Sequence, residues 1–524
     1  MTHWIIVPIL GPALVAAFIV IAARHQIALA RVISVAGTLG LTGVALALTA
    51  YAATGAVEVY ELGNWPAPFG IVLVLDRLSA LMVLLTAVLA LAVLIYAIGA
   101  GWDRRGWHFH ALYQFQLMGI CGAFLTGDLF NLFVFFEVLL IASYGLMIHG
   151  GGARRMRAGV QYVVYNLLGS TLFLFALGTL YGVTGTLNMA DMALRVADMP
   201  AGDTALLRVG AILLLLVFAV KAALLPLHFW LPETYAQAPA PVAALFAVMT
   251  KVGAYAILRV YTLIFPPELE ATAGIAGPWL LGAALVTLVV GMIGVLGASG
   301  LGRLAAFSAI GSMGTLLVAL ALFTPEATIA ALYYTVHSTL AAALLFLVVD
   351  MVRERRGRAG DALTPAPAMA QRGLVASLYF GAAIATAGMP PLSGFVGKLL
   401  ILDAAWPSPQ ATLIWAAILA GSLVAILGLA QAGSLVFWKT APAAAAPGPE
   451  DDTDEDEAAP PAPAPDTVPT ALPAAACIGL LALIVGLTVL AGPVTSYMED
   501  TAAQLFAPDA YIETVMRRAS EGDT

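Results

Sequence analysis

The feature that most constrains the fold is a series of apolar stretches, each long enough to cross a lipid bilayer. A membrane-spanning helix needs about 20 predominantly apolar residues, and the 524-residue chain holds fourteen such stretches. Because lipid offers no hydrogen-bond partners to the backbone, we expect all of them to be helical. The sequence therefore predicts an all-α polytopic membrane protein with spans at 4–23, 28–53, 72–100, 107–126, 128–149, 160–183, 206–230, 240–265, 274–297, 302–323, 325–352, 374–402, 410–438 and 468–492.

Charged residues are scarce outside one short tract. They make up 10% of the chain, against about 25% in soluble domains. The net charge of −8 comes from the tract 450–457 (EDDTDEDE), without whose seven acids the chain would hold 24 acids and 23 bases. The chain lacks a basic patch interleaved with aromatic residues, which argues against nucleic-acid binding. Cys121 and Cys477 are too far apart to form a local metal or redox pair, so we expect neither metal nor cofactor.

The arginines in the connections between spans indicate the orientation. Connections after odd-numbered spans carry most of them, for example Arg104 and Arg356, whereas connections after even-numbered spans carry acids such as Glu58 and Glu268 and only Arg195 as a clear base. The positive-inside rule then places the odd connections in the cytoplasm and both termini outside. The first span lacks the basic region and cleavage site of a signal peptide, so we expect it to be retained.

Composition and span order divide the chain into five regions. The Ala/Pro-rich segment around the acidic tract predicts a disordered cytoplasmic loop, and an amphipathic tail broken near Pro508 follows the last span. The predicted regions are helices 1–3 (1–106), a first five-helix repeat (107–265), a second five-helix repeat (274–438), the acidic loop (440–467) and the last span with its tail (468–524).

Ionisable residues inside the apolar stretches point to function. The chain has four lysines, and Lys221, Lys251 and Lys398 each interrupt a span. A charge at the bilayer centre costs at least about 3 kcal/mol on insertion scales, and such residues usually mark ion or proton pathways. Glu137 and His337 also lie deep in their spans. The five predict a proton relay; snorkelling lysines and purely structural ion pairs remain the alternative.

Prolines interrupt the seventh span next to a lysine. Pro226 follows Lys221 by five residues and should break or kink the helix. Backbone groups freed by such a break must face protein or water. His228, one heptad after Lys221, is expected on nearly the same helical face, where it could serve a water-accessible proton site.

The twelfth span repeats this arrangement. Pro390, Pro391 and Gly394 are expected to break it just before Lys398. Interrupted helices at corresponding positions of two halves indicate a transporter built from repeats. The broken spans are five apart, and because five is odd we expect spans 4–8 and 9–13 to form two inverted five-helix repeats.

Four segments carry a resemblance to a known family. They are similar to the antiporter-like membrane subunits shared by complex I and Mrp-type multisubunit sodium/proton antiporters. Part of the first segment, FNLFVFFEVLLIASY, and the tail AAQLFAPDAYIETVM (502–516) are most similar to the D subunits of Mrp antiporters. The four segments are GDLFNLFVFFEVLLIASY (127–144), KAALLPLHFWLPETYAQAPAPVAALFAVMTKVGAYAILR (221–259), LGRLAAFSAIGSMG (301–314) and PPLSGFVGKLLI (390–401).

The resemblance implies roles for the buried ionisable residues. Glu137 is implied to pair with Lys221, and Lys251 is implied to be the central carrier. His337 is implied to bridge to Lys398 at the exit half-channel. The implied partners are subunits A, B, C, E, F and G of an Mrp complex, with protons, sodium or another monovalent cation and the bacterial inner membrane.

The expected function is proton translocation within a multisubunit sodium/proton antiporter. An enzyme is disfavoured because the chain has no Gly-x-Ser-x-Gly, P-loop or dinucleotide fingerprint. One alternative is a proton-pumping subunit of a complex I-type or hydrogenase redox complex. The other is a membrane scaffold whose ion pairs only fix assembly.

Overall fold

The computed structural model describes residues 2–200, 204–439 and 471–521, with side chains described as far as Met516. The predicted acidic loop 440–467 lies outside the described residues. The rest of the chain is mainly helical: α1 (Val7–Phe18), α2 (Ile27–Ala52), α3 (Arg77–Gly99), α4 (Phe109–Leu125), α5 (Leu129–Met147), α6 (Ala153–Thr184), α7 (Met189–Ala197), α8 (Ala205–Lys221), α9 (Trp230–Gln237), α10 (Ala240–Leu263), α11 (Gly277–Leu296), α12 (Leu301–Ala321), α13 (Pro325–Arg355), α14 (Arg372–Ala387), α15 (Ser393–Ala405), α16 (Ala411–Phe437), α17 (Ala471–Val489), α18 (Ala491–Phe506) and α19 (Asp509–Glu521).

Ten of the described helices are long and apolar enough to cross a membrane. They are α2, α3, α5, α6, α10, α11, α12, α13, α16 and α17. The other four predicted spans correspond to shorter helices, namely α1, α4, α8 with α9, and α14 with α15. The protein is therefore a multi-pass membrane protein, while the count of fourteen spans stays a prediction.

The helices α10 and α13 form the centre of the bundle. The apolar window of α10 is 100% buried and that of α13 is 94% buried, whereas the windows of α2 and α16 are 28% and 33% buried. Lipid-facing surface stays exposed within a single subunit, so the buried share of each window separates the interior helices α10 and α13 from the peripheral helices α2 and α16. Lys251 and His337 lie on the two interior helices.

The prediction of one helix over 72–100 is wrong at its beginning. Val72–Leu75 (β2) pairs antiparallel with Glu58–Glu61 (β1), so the fold is not strictly all-helical. Asp76 then caps α3, because its carboxylate accepts from the Ser79 N–H at 2.8 Å and the Ser79 hydroxyl accepts from the Asp76 N–H at 2.9 Å. This capping box begins the helix later than hydropathy indicates.

The seventh and twelfth predicted spans are both interrupted, as their prolines indicate. Two details of the prediction are corrected. The first break runs from 222 to 229 and the second from 388 to 392. His228 lies inside the first break, so it cannot share a helical face with Lys221, which ends α8. Gly394 lies in the first turn of α15 rather than in the break. A Cβ there would collide with the Ala385 carbonyl, so glycine permits close helix packing.

The C-terminal helices fold back over one end of the bundle. The hydroxyl of Tyr497 donates to the Arg77 carbonyl at 2.9 Å, and the Arg77 N–H donates to the Gln504 side chain at 3.0 Å. The Arg77 guanidinium also lies 3.1 Å from the Asp500 carboxylate. We call this end of the bundle, where β1, β2, α18 and α19 lie, the tail face.

Candidate functional site

Glu137 and Lys221 are connected through α6. The Lys221 Nζ donates to the Asn166 Oδ1 at 2.8 Å, and the Ser170 hydroxyl donates to the Glu137 carboxylate. In the described part of the chain no ion pair within 4.0 Å joins Glu137 to Lys221. The direct pairing implied by the family resemblance is therefore corrected: Glu137 acts on the Lys221 ammonium only as a nearby charge.

Asn166 and Ser170 are members of the site that the sequence analysis missed. They are four residues apart, so both project from the same face of α6. Asn166 is buried at 2% exposure and Ser170 at 7%, whereas the opposite face of α6 presents large apolar side chains to the outside. The sequence signal that could have identified them is a pair of neutral polar residues spaced four apart in an otherwise apolar helix.

The first break is held against neighbouring helices. The Trp230 indole donates to the Val220 carbonyl at 3.0 Å, and the Leu225 N–H donates to the Thr287 hydroxyl on α11 at 2.9 Å. Pro226 is exposed, whereas His228 is buried and its Nδ1 has no hydrogen-bond partner among the described residues. The break thus places a buried polar ring beside the end of α8.

Lys251 lies at the centre of the bundle without a direct polar partner. It is 2% exposed, and no hydrogen bond to its Nζ is found within the described residues. The hydroxyls of Thr250 and Tyr255, which are close to Lys251 on α10, donate instead to the carbonyls of Ala247 and Phe124. Lys251 lines a cavity of about 10 Å³ with Tyr255 and Thr335. This is about the size of one water molecule.

Close packing brings Lys221 near α10. A Cβ at Gly253 would stand 3.0 Å from the Lys221 Cβ and 2.8 Å from the Phe218 carbonyl oxygen. Glycine therefore lets the end of α8 approach α10 only two residues from Lys251. The backbone at Lys221 thus packs against α10 close to Lys251, although residues two apart on a helix point to different faces.

His337 joins α13 to the second break. Its Nδ1 lies 2.8 Å from the Ser393 hydroxyl, and it borders a second cavity of about 10 Å³. The hydroxyls of Ser308 and Thr386 line this cavity and have no protein partner among the described residues. Unsatisfied buried hydroxyls around a space of this size are typical of a site for ordered water.

Lys398 reaches back across the second break. Its Nζ donates to the Ala387 carbonyl at 2.7 Å and to the Ser422 hydroxyl at 2.9 Å. The ammonium therefore lies at the negative end of the α14 dipole. Gly388, with φ of 76°, leaves room for it, since a Cβ there would stand 2.8 Å from the lysine Cδ. Lys398 follows its break whereas Lys221 precedes its own, so the two lysines are not at equivalent positions.

A large cavity opens at the tail face beside α15. Its volume is about 940 Å³, and its lining includes Glu326, Asp403 and Glu499 but no lysine or arginine. Asp403 follows Lys398 by five residues, or about 7.5 Å along the helix. Lys398 thus lies near a wide acidic opening.

The titratable groups fall into two connected sets. Glu137 and Lys221 both bond to side chains of α6, whereas Lys251 and Lys398 are the two lysines whose charges act on the His337 ring. Together with two cavities that are each about the size of one water molecule, these groups form a candidate proton pathway.

Sequence comparisons identify relatives along the whole chain. The family model described as NADH:quinone oxidoreductase/Mrp antiporter, TM matches residues 126–424. The probable K(+)/H(+) antiporter D subunit of Rhizobium meliloti is 38% identical over 556 residues, covering 99% of this chain and 98% of the relative. The Na(+)/H(+) antiporter D subunit of Bacillus subtilis is 36% identical over 527 residues, covering 99% and 100%.

Chains with this fold occur in solved structures of membrane complexes. A chain of the Mrp complex from Dietzia sp. DQ12-45-1b matches with a TM-score of 0.85 and 28% identity, covering 98% of this chain and 100% of that one. A chain of respiratory complex I from Thermus thermophilus matches with a TM-score of 0.76 and 22% identity, covering 96% and 99%; it shares the fold. This chain therefore belongs to the NADH:quinone oxidoreductase/Mrp antiporter membrane-subunit family and, within it, to the antiporter D subunits.

Proposed function

We propose that this protein is the proton-translocating subunit of a multisubunit monovalent cation/proton antiporter in the bacterial inner membrane. The observation that carries the proposal is a set of titratable groups within the helices, the partly buried Glu137 and the buried Lys221, Lys251, His337 and Lys398, in a chain 36–38% identical to antiporter D subunits. The proposed partners are subunits A, B, C, E, F and G, and the proposed cation is sodium or potassium.

The first step is proton uptake at Lys221 beside the first break. The bond from Lys221 to Asn166 supports reversible uptake, because a neutral amide accepts a hydrogen bond without holding the lysine permanently charged. A carboxylate in the same place would favour the protonated lysine more strongly. Glu137, held by Ser170 on the same face of α6, supplies a weaker bias. His228 and Pro226 mark the proposed access route.

The proton then crosses the bundle and leaves at the tail face. We propose that the proton passes from Lys221 to Lys251 where α8 packs against α10 at Gly253, and that water in the two small cavities links Lys251 to His337. Ser393 orients the His337 ring toward the second break, where Pro390, Pro391 and Gly394 shape the approach to Lys398. Release into the acidic cavity beside Asp403 completes the path. The lysines repel metal cations, so the relay carries protons only.

The proposed architecture has fourteen spans with both termini outside. Spans 4–8 and 9–13 form the two inverted repeats, 107–265 and 274–438, which follow helices 1–3 (1–106) and precede the acidic loop 440–467 and the last region 468–524. The two interrupted helices and the corresponding positions of α6 and α13 support this division. On this arrangement the tail face is the outer face of the membrane.

A redox-driven pump is the competing function. The likeness to the complex I chain, at 22% identity, concerns the fold alone. The relatives above 35% identity are named as antiporter subunits. Antiport is therefore the better-supported function.

The proposal is tested in the whole complex, expressed in a bacterial host that lacks its own sodium/proton antiporters. Cation-induced proton movement is measured in everted membrane vesicles for Glu137→Ala and Lys221→Ala, with assembly checked on native gels. We expect antiport to be lost while the complex still assembles. Wild-type proton flux in normally assembled variants would contradict the relay, and loss of assembly in every neutral variant would favour the scaffold alternative.

A further inference from the structure

We propose that a buried ion pair, Arg259 with Asp76, closes the tail-face side of Lys251 under the cover of Tyr511. A proton on Lys251 is thereby prevented from escaping there and passes on to His337. This inference rests on the proposed relay and assigns to these three residues the role of sealing it.

The ion pair lies on the same helix as Lys251. The Arg259 Nη2 lies 2.6 Å from the Asp76 Oδ2, with side-chain exposures of 5% and 2%. Arg259 follows Lys251 by eight residues on α10, about 12 Å toward the tail face. The intervening Tyr255 lines the Lys251 cavity and donates its hydroxyl to the Phe124 carbonyl at 2.7 Å. The guanidinium thus stands directly between the cavity and the tail face.

Two aromatic rings enclose the guanidinium. Its Cζ lies 5.7 Å from the Tyr255 ring centroid and 5.2 Å from that of Tyr511 on α19. Tyr511 is 4% exposed, and a Cβ at Gly127 would stand 3.2 Å from its hydroxyl. A cation between aromatic faces is stabilised there, so α19 covers the pair and keeps it dry.

The space between the tail face and the relay differs between Lys398 and Lys251. The route beside Lys398 is the acidic cavity of about 940 Å³, which α18 helps to line through Thr495 and Glu499. Beside Lys251 lies the cavity of about 10 Å³, lined also by Tyr255 and Leu258, and the enclosed Arg259 is the next residue along α10 toward the tail face. If the tail-face side of Lys251 were open, protons would leave before reaching His337 and Lys398. A closed end at Lys251 is therefore needed for the full path to be used.

Charge explains how the pair would seal. The Arg259 guanidinium repels an approaching hydronium ion, and its ion pair occupies the Asp76 carboxylate. Without Arg259, this carboxylate is left without its cationic partner and the repulsion is lost. Apolar residues of similar size would often stabilise a fold as well as a buried ion pair does. A purely structural role therefore does not require this pair.

The test is passive proton leak through the complete antiporter complex in everted vesicles, followed as the decay of an imposed pH gradient without the exchanged cation. For Arg259→Gln we expect about a tenfold faster leak, equivalent to a barrier lower by about 1.4 kcal/mol. Adding Asp76→Asn or Lys251→Ala to this variant should return the leak to the wild-type rate. Arg208→Gln is the matched control, since within the described ranges Arg208 bonds only to the carbonyls of Ala271 and Ala273.

The outcomes separate the seal from the relay. The seal is overturned if assembled Arg259→Gln complexes leak at the wild-type rate. It is also overturned if the faster leak persists when Lys251→Ala is added to Arg259→Gln. Either result leaves the proposed function intact. Full antiport by Lys251→Ala alone overturns the proposed function itself. If Arg259→Gln fails to assemble, Tyr511→Ala removes the cover while keeping the ion pair. An unchanged leak in that variant overturns the seal as well.

Discussion

The ammonium of Lys221 donates a 2.8 Å hydrogen bond to the side-chain oxygen of Asn166 and forms no ion pair with Glu137. A lysine bonded to a neutral amide in the protein interior can lose its proton without leaving an unpaired carboxylate behind. The contact thus accounts for a lysine that serves as a carrier rather than as half of a fixed salt bridge.

Asn166→Asp should slow antiport by converting this hydrogen bond into a salt bridge. About 1.4 kcal/mol of added attraction for the charged lysine would slow proton release about tenfold. The measurement is the initial rate of cation-induced proton movement in vesicles. Asn64→Asp, at an exposed turn on the tail face, controls for the added charge. Equal rates for the two variants would show that Asn166 does not govern Lys221.

Gly388→Ala should displace Lys398 and reduce antiport. The added Cβ would stand 2.8 Å from the lysine side chain, at a backbone φ of 76°, and the left-handed conformation alone costs about 1–2 kcal/mol for a residue other than glycine. Thermal unfolding of the purified complex and antiport rate are measured together. Gly373→Ala is the control, because a Cβ there meets nothing within 4 Å. An unaffected Gly388→Ala complex would contradict the described approach of Lys398.

Removing the hydroxyls beside His337 should slow the relay. Ser308 and Thr386 line the small cavity without protein partners among the described residues, so they are positioned to bind its water. Losing one hydrogen bond to that water costs about 1 kcal/mol, and we expect Ser308→Ala and Thr386→Val each to lower antiport about fivefold. Ser377→Ala, at an exposed serine of α14, should have wild-type antiport. Wild-type antiport in Ser308→Ala and Thr386→Val as well would rule out a role for that water.

Asp103, between α3 and α4, should make stability depend on pH. Burial alone would raise the pKa of its carboxyl, but hydrogen bonds from Arg31 and His110 outweigh this and lower the pKa from 3.8 to about 2. The resulting stabilisation, at most about 2 kcal/mol, is complete above about pH 4 and is lost as the pH falls through about 2. Asp103→Asn should therefore unfold at a lower temperature than wild type at pH 7.

The measurement compares the unfolding temperatures of the two complexes at pH 7 and pH 3. The difference should be smaller at pH 3. Glu268→Gln, at an exposed loop residue, should match wild type at both values. A difference between Asp103→Asn and wild type that stays constant with pH would show that the ionised carboxylate does not provide the stability.

The sequence was most informative where a residue type conflicts with its surroundings. Lys251 in an apolar stretch is conspicuous because burying a charge is costly. Prolines in apolar runs indicate the two helix breaks because a proline inside a helix removes a backbone hydrogen bond. Neutral polar residues carry a smaller penalty, so Asn166 and Ser170 gave a weaker signal. Their role emerged only once α6 was seen to lie between α5 and α8.

The remaining features depend on contacts between distant parts of the chain. Arg259 and Asp76 meet from two separate helices, and no local pattern links them. The strand β2 is as apolar as the helix that follows it, so hydropathy alone did not separate them. The position of His228 inside the first break, rather than on the helical face of Lys221, likewise required the observed helix end.

The most direct test of the relay compares two lysine variants of the complete antiporter complex. Cation-driven proton flux is measured for Lys251→Ala, at the bundle centre, and for Lys439→Ala, at the exposed end of α16, in equally assembled complexes. The relay predicts that flux disappears in the first and stays at the wild-type level in the second. Wild-type flux through complexes that carry Lys251→Ala would contradict it.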